Sequence, residues 1–138
     1  MNKQIAIAAV LACGAGSALA ADYTPTPGTQ VEACLAAAAA SHTIGGATTG
    51  TPYTTADSFI KTSFGITCSA NTSVFFTNAP GGDATRFTVG SGSVKGNQTF
   101  KGSSAGGAVT VHAAIPANTD AAGVKTLVQT AEAAANSM

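Results

Sequence analysis

The chain has 138 residues, 45% of them hydrophobic and only 9% charged, with 6 Lys+Arg against 6 Asp+Glu and a formal net charge of +0. This balance lacks the basic excess that draws a protein to phosphate backbones, which argues against nucleic-acid binding. Low charge beside this much apolar content also argues against a charged, disordered coil, and the length suits one domain.

The first element in chain order is an address. Met1-Asn2-Lys3 supplies a positive start, and an apolar run from Ile5 to about Ala12 is too short to span a bilayer. Small residues then end in Ala18-Leu19-Ala20, the A-x-A pattern that a signal peptidase accepts. Residues 1–20 are therefore expected to be a secretory signal peptide. A rival signal is Val10-Leu11-Ala12-Cys13-Gly14, a loose lipobox. Lipidation of Cys13 is the one route by which a membrane becomes a partner.

Removal of the signal leaves two cysteines, Cys34 and Cys68, in an oxidising compartment. One structural disulfide is the simplest use of an even pair, because a reactive pair would want C-x-x-C spacing. On chain-entropy grounds such a loop closure contributes roughly 3.5–4 kcal/mol.

Residues 21–28 read as an extended lead-in, in which Pro25 and Pro27 fix φ and remove two donors. A single small domain is expected over 29–138. Thr29-Gln30-Val31-Glu32 has the form of a capping box, and the Ala-rich run to Ala40 contains good helix formers. A short helix near 29–41 carrying Cys34 is the local expectation, with a Gly/Thr-rich loop from Gly45 to Thr55 after it.

Phe59–Cys68 fits either period. A helical turn or two leading into a strand over Ile66–Ser69 is favoured. Val74–Thr77 is a predicted strand, and Pro80-Gly81-Gly82-Asp83 a turn. The next strand, Thr85–Val89, places Phe87 and Val89 inward and Arg86 and Thr88 outward. A short strand follows at Asn97–Lys101, with Gly90-Ser91-Gly92 and Gly102–Gly107 read as loops. Ala108–Ile115 alternates most cleanly, with Val109, Val111, Ala113 and Ile115 on one face. After Pro116 the period changes. Asn118, Thr119 and Asp120 are good N-caps, and Val124, Leu127, Val128, Ala131 and Ala135 form a helical stripe with Lys125, Gln129 and Glu132 outside it.

Little in this inventory points to catalysis. His42 and His112 lie in different elements, without metal-ligand spacing. A serine hydrolase would have to join a Ser to His112 and Asp57 or Asp83, yet there is no G-x-S-x-G elbow. Glu32, Asp57, Asp83, Asp120 and Glu132 offer carboxylates, but no spacing selects a pair for glycoside hydrolysis. The glycines lack the Lys-Ser/Thr of a phosphate loop. Asn71-Thr72-Ser73 and Asn97-Gln98-Thr99 match the N-glycosylation sequon. No catalytic residue, cofactor or metal is assigned.

Two stretches resemble pilins of the chaperone–usher systems, especially the archaic branch with the spore coat protein U domain. The first is Gly28-Thr29-Gln30-Val31-Glu32-Ala33-Cys34 with Phe64-Gly65-Ile66-Thr67-Cys68 and Val74-Phe75-Phe76. The second runs from Ala108-Val109-Thr110-Val111 through Ala114-Ile115-Pro116-Ala117-Asn118 to Gly123-Val124-Lys125-Thr126-Leu127-Val128. The resemblance implies an incomplete all-β Ig-like sandwich whose groove is filled by a neighbour's N-terminal strand, with a secretion chaperone among its partners.

The fold expected from the residues themselves is α+β: an antiparallel sheet over 66–115 packed by Ala-rich helices near 29–41 and 119–135. The pilin-type sandwich is the alternative. The expected function is that of an exported, non-enzymatic structural protein at the cell surface or outside the cell, a subunit of a bacterial surface filament or matrix built from copies of itself. The competing expectation is a small, monomeric periplasmic or secreted binding module.

Overall fold

The computed structural model describes residues 22–45, 50, 52 and 57–138. The signal peptide expected over 1–20, Cys13 within it, and most of the loop expected over 45–55 lie outside the described residues. In chain order the elements are β1 (Asp22–Tyr23), β2 (Gln30–Cys34), β3 (Ala40–Ile44), β4 (Phe64–Cys68), β5 (Thr72–Asn78), β6 (Phe87–Ser93), β7 (Gln98–Ser103), β8 (Thr110–Ala114) and α1 (Ala121–Asn136). The described residues are mostly antiparallel sheet with one C-terminal helix, which fits an α+β or a mostly-β fold.

Strands β5 to β8 form an antiparallel meander, and β2 adds to its near edge, giving the order β2-β5-β6-β7-β8. A smaller sheet, β1-β3-β4, joins β1 and β3 in parallel and β3 and β4 antiparallel. The single sheet expected over 66–115 is thus divided: β4 belongs to the small sheet and β5 to β8 to the large one.

Each face of the large sheet has its own core. Ala33, Ile44, Ile60 and Phe76 are buried between the sheets, with Tyr23, Val31, Ile66, Val74 and Phe87 packed around them. On the opposite face Phe75 and Ile115 meet Val124 and Val128 of α1. Small sheet, large sheet and helix make three layers, each covering an apolar face that it could not leave in water.

The helix expected near 29–41 does not form. Residues 30–34 are strand β2, a turn closes on Leu35 O, and residues 40–44 are strand β3. An isolated helix of about a dozen residues is marginal, and tertiary pairing outweighs its propensity. Here β2 gains a ladder with β5 and a cross-link at Cys34. The apparent capping box has other uses: Gln30 and Glu32 both reach α1.

No helical turn precedes β4 among the described residues from 57 on. Asp57 takes φ 57°, and buried Ser58 donates to Ile60 O at 2.9 Å. Asn78, fully buried at the end of β5, organises this segment. Its Oδ1 accepts from the amides of Phe59 (2.9 Å) and Ile60 (3.2 Å), its Nδ2 donates to Ser58 Oγ, and its carbonyl accepts from Gly28 N.

At the C-terminus the expected helix is present. Asp120 is the cap chosen from the three candidates, its Oδ1 accepting from Gly123 N at 2.8 Å. Val124, Val128, Ala131 and Ala135 are fully buried, as the stripe requires. Glu132, expected outside that stripe, is fully buried too. Arg86 donates to Asn136 O at the other end, where a cation suits the helix dipole.

Candidate interaction surface

The sulfurs of Cys34 and Cys68 are bonded, with their Cα atoms 5.5 Å apart, so the expected disulfide ties β2 of the large sheet to β4 of the small one. This bond holds the two layers face to face over β2, β5 and part of β6. Among the described residues no strand of the small sheet covers β7 and β8, and Phe100 and Val111 there are exposed.

The make-up of that open face follows from the pleat. In β6, Thr88, Gly90 and Gly92 point to the helix, while Val89 and Ser91 point the other way. Gly90 and Gly92, expected in a loop, lie within β6 because α1 presses on them. A Cβ on Gly90 would lie 2.6 Å from both Glu132 N and Val128 O. Thr88, expected to point outward, is consequently buried beneath the helix.

One irregularity decides the rest. Thr99 pairs with Ala113 and Phe100 with Val111, so His112 is an extra residue in β8. A bulge of this kind shifts the side-chain parity by one. The four residues expected to share an inward face are therefore split. Ala113 and Ile115 stay on the helix side, while Val111 and Val109 turn to the open face beside Phe100. Val109 is 67% exposed, Val111 50%, Phe100 39% and Phe64, on the neighbouring rim of β4, 38%. An apolar groove of about 210 Å³ between β4 and β6 continues the patch inward along Phe64, Ile66, Val74, Phe76, Phe87 and Val89.

Isolated exposed apolar residues are ordinary, but Phe100, Val109 and Val111 share one face of the large sheet, which makes that face a candidate contact surface. The alternation of 108–115 revealed the valines. It could not reveal where they face, because a bulge has no signature in a run of small and β-branched residues. Nothing in the sequence marks Phe64 and Phe100 as surface residues, since an aromatic in a strand is more often buried.

Most of the histidines and carboxylates make local structural contacts. His42 packs edge-on against Tyr23, with centroids 5.1 Å apart, and His112 sits half-buried at the bulge. Asp83 Oδ1 accepts from the Thr85 hydroxyl at 2.6 Å and from its amide at 2.9 Å. These two bonds, with Arg86 nearby, hold its carboxyl below the usual range. Glu32 pairs with Lys125 at 2.7 Å, and the same ammonium lies 5.9 Å from the centre of the Phe75 ring. Asp120 caps the helix and Glu132 is bonded beneath it. No hydrogen bond or ion pair among the described residues joins His112 to Asp57 or Asp83. Among those residues, too, no group of three His, Cys, Asp or Glu could hold a metal ion, and no helix is long and apolar enough to cross a membrane.

Comparison with protein-family models, with curated proteins and with solved structures finds no match for this chain.

Proposed function

We propose that the protein is an exported, non-enzymatic structural subunit whose copies meet through the open face of the large sheet, in a bacterial surface filament or extracellular matrix. The observation that carries this reading is the apolar group Phe100, Val109 and Val111, exposed on one face of the large sheet. A surface of this kind gains free energy when covered, at roughly 25 cal/mol per Å². The low charge lets copies approach with little repulsion. The disulfide supports the exported part of the reading, because such bonds persist in oxidising compartments. The face is a better contact than the β8 edge, since the bulge at His112 disrupts the ladder that a new strand would have to join.

Material sheared from the producing cells tests this on a denaturing gel run with and without boiling. A ladder that collapses to monomer on boiling is the expected result. Monomer alone, in the periplasm or medium, would exclude the filament.

A second reading, the monomeric binding module, is favoured by one feature. A cleft of about 250 Å³ at the β6–β7 end is lined by the uncharged polar residues Thr72, Ser91, Ser93, Asn97 and Gln98 around the Phe100 ring. Monomer that binds a small ligand there would favour this reading over the subunit.

A further inference from the structure

At the hairpin end of β6 and β7, the face of the large sheet away from the helix is polar. Thr72 of β5 pairs with Ser93 of β6, and Ser91 pairs with Phe100 of β7. Because side chains alternate along a strand, Gln98 stands on the same face as Phe100. Together with Asn97 these residues line the cleft of about 250 Å³. None of its lining side chains among the described residues is charged.

The rim is held in place before any ligand arrives. Thr72 Oγ1 and Ser69 Oγ share a hydrogen bond of 2.8 Å, and Ser93 Oγ accepts from Lys95 N at 3.3 Å. The backbone is tied as well, Gly96 N donating to Ser93 O at 2.9 Å and Ile115 N to Asn97 O at 2.8 Å. Such preorganisation lowers the cost of binding. The Ser91 hydroxyl and the Asn97 and Gln98 amides, by contrast, have no hydrogen-bond partner among the described residues. Each of these groups can both donate and accept. Phe100, 39% exposed, is the one aromatic residue of the lining.

These features narrow the ligand. A phosphate, carboxylate or ammonium group would lose water here and gain no counter-charge. An apolar molecule would strand the amides and the hydroxyl, and the groove between β4 and β6 would suit it better. A neutral ring with hydroxyls on its edge and C–H groups on its face satisfies both halves of the cleft. Its hydroxyls donate and accept as the amides do, and its C–H groups, slightly positive beside oxygen, suit the electron-rich face of an aromatic ring. The volume lies below the roughly 300–1,000 Å³ of drug-sized sites, which fits one ring and not a chain.

We propose that this cleft binds one uncharged pyranose unit, stacked on Phe100, with Ser91, Asn97 and Gln98 hydrogen-bonded to its hydroxyls. This names a ligand class for the cleft of the second reading and rests on that reading for the cleft's being a site. It holds for a monomer and for a filament subunit alike, because the cleft lies on the β6 side of Phe100 and Val111 on the β8 side. One shallow contact of this kind is weak, and copies in a filament would multiply it.

Saturation-transfer NMR on the full-length mature protein tests this, with methyl β-D-galactopyranoside and methyl β-D-glucopyranoside as probes. Saturation should reach the ring C–H protons of at least one of them, most strongly on one face, as stacking requires. Phe100→Ala should weaken that binding about tenfold, the worth of one aromatic contact. Asn97→Ala with Gln98→Ala should weaken it while the same face stays saturated. All three side chains are exposed, so these changes spare the core. Thr126→Ala, on the exposed face of α1, should bind as the wild type does. Sorbitol, an open-chain polyol without a ring face, should give no signal. Silence from both pyranosides, a signal that survives Phe100→Ala unchanged, or an equal signal from sorbitol overturns the proposal. Benzyl alcohol separates the two failures. If it binds at Phe100 and neither pyranoside does, the sugar is wrong and the binding cleft stands; if none of the three binds, the cleft reading falls as well.

Discussion

Gly90 is a residue whose missing side chain sets the spacing of two layers. The backbone of α1 passes so close that a methyl group there would meet Glu132 N and Val128 O at 2.6 Å, and neither is a flexible side-chain end that can swing away. Gly90→Ala should cost about 1–3 kcal/mol by overpacking, read as a lower midpoint in urea unfolding. Asn78 acts in the opposite sense, through bonds made: its side chain alone satisfies two amides and a hydroxyl. Asn78→Ala should destabilise by about 2–4 kcal/mol, because the amides of Phe59 and Ile60 lose their acceptor. Asp83 is a surface case with a pH signature. Its carboxyl is held below the usual 3.8 by the Thr85 bonds, so its contribution is full above that value and lost as pH falls through the lowered one. Asp83→Asn should flatten the acid limb of a Tm-against-pH curve and leave neutral pH nearly unchanged.

Among the elements, α1 is the one whose local and tertiary signals agree. Its cap and the burial of its apolar stripe concur, Glu132 being the exception, so Asp120→Ala should cost about 1 kcal/mol in thermal unfolding and leave the fold intact. Strand β2 is the opposite case. Its residues favour a helix locally, and it is extended because β5 and Cys68 hold it. Loss of the disulfide should therefore act mainly on the register of the two sheets. Cys34→Ser should lower stability by about 2–5 kcal/mol and raise hydrogen exchange in β3 and β4 more than in β6 and β7.

At the scale of the whole molecule, the helix covers one face of the large sheet while, among the described residues, the small sheet covers only part of the other. The uncovered remainder is where Val109 and Val111 emerge. Val109→Asp with Val111→Asp should leave thermal stability within about 0.5 kcal/mol, since both side chains are at least half exposed. The same pair of changes should abolish multimers in sedimentation or unboiled gels if copies meet on this face. Multimers that survive it would move the contact elsewhere. An acidic residue at Thr88, by contrast, would test folding and not assembly, because Thr88 lies under α1.

What could be read along the chain was whatever depends on neighbours in sequence. The period of the C-terminal helix and the strands expected at 74–77 and 97–101 are of this kind. Nothing local showed that Ala36–Ala40 would straddle a turn, that β6 would run through Gly90 and Gly92, or that β4 would leave the meander for a second sheet. Each of those depends on which surface arrives from elsewhere: β5 and Cys68 against β2, the backbone of α1 against the glycines, β3 against β4. The site shows the same division. Alternation put Val109 and Val111 on one side of a strand, and that much was determined by the sequence itself. Which side faces solvent was decided by the extra residue at His112 and by where the small sheet ends, because side-chain parity in a sheet is a property of pairing and not of the strand alone.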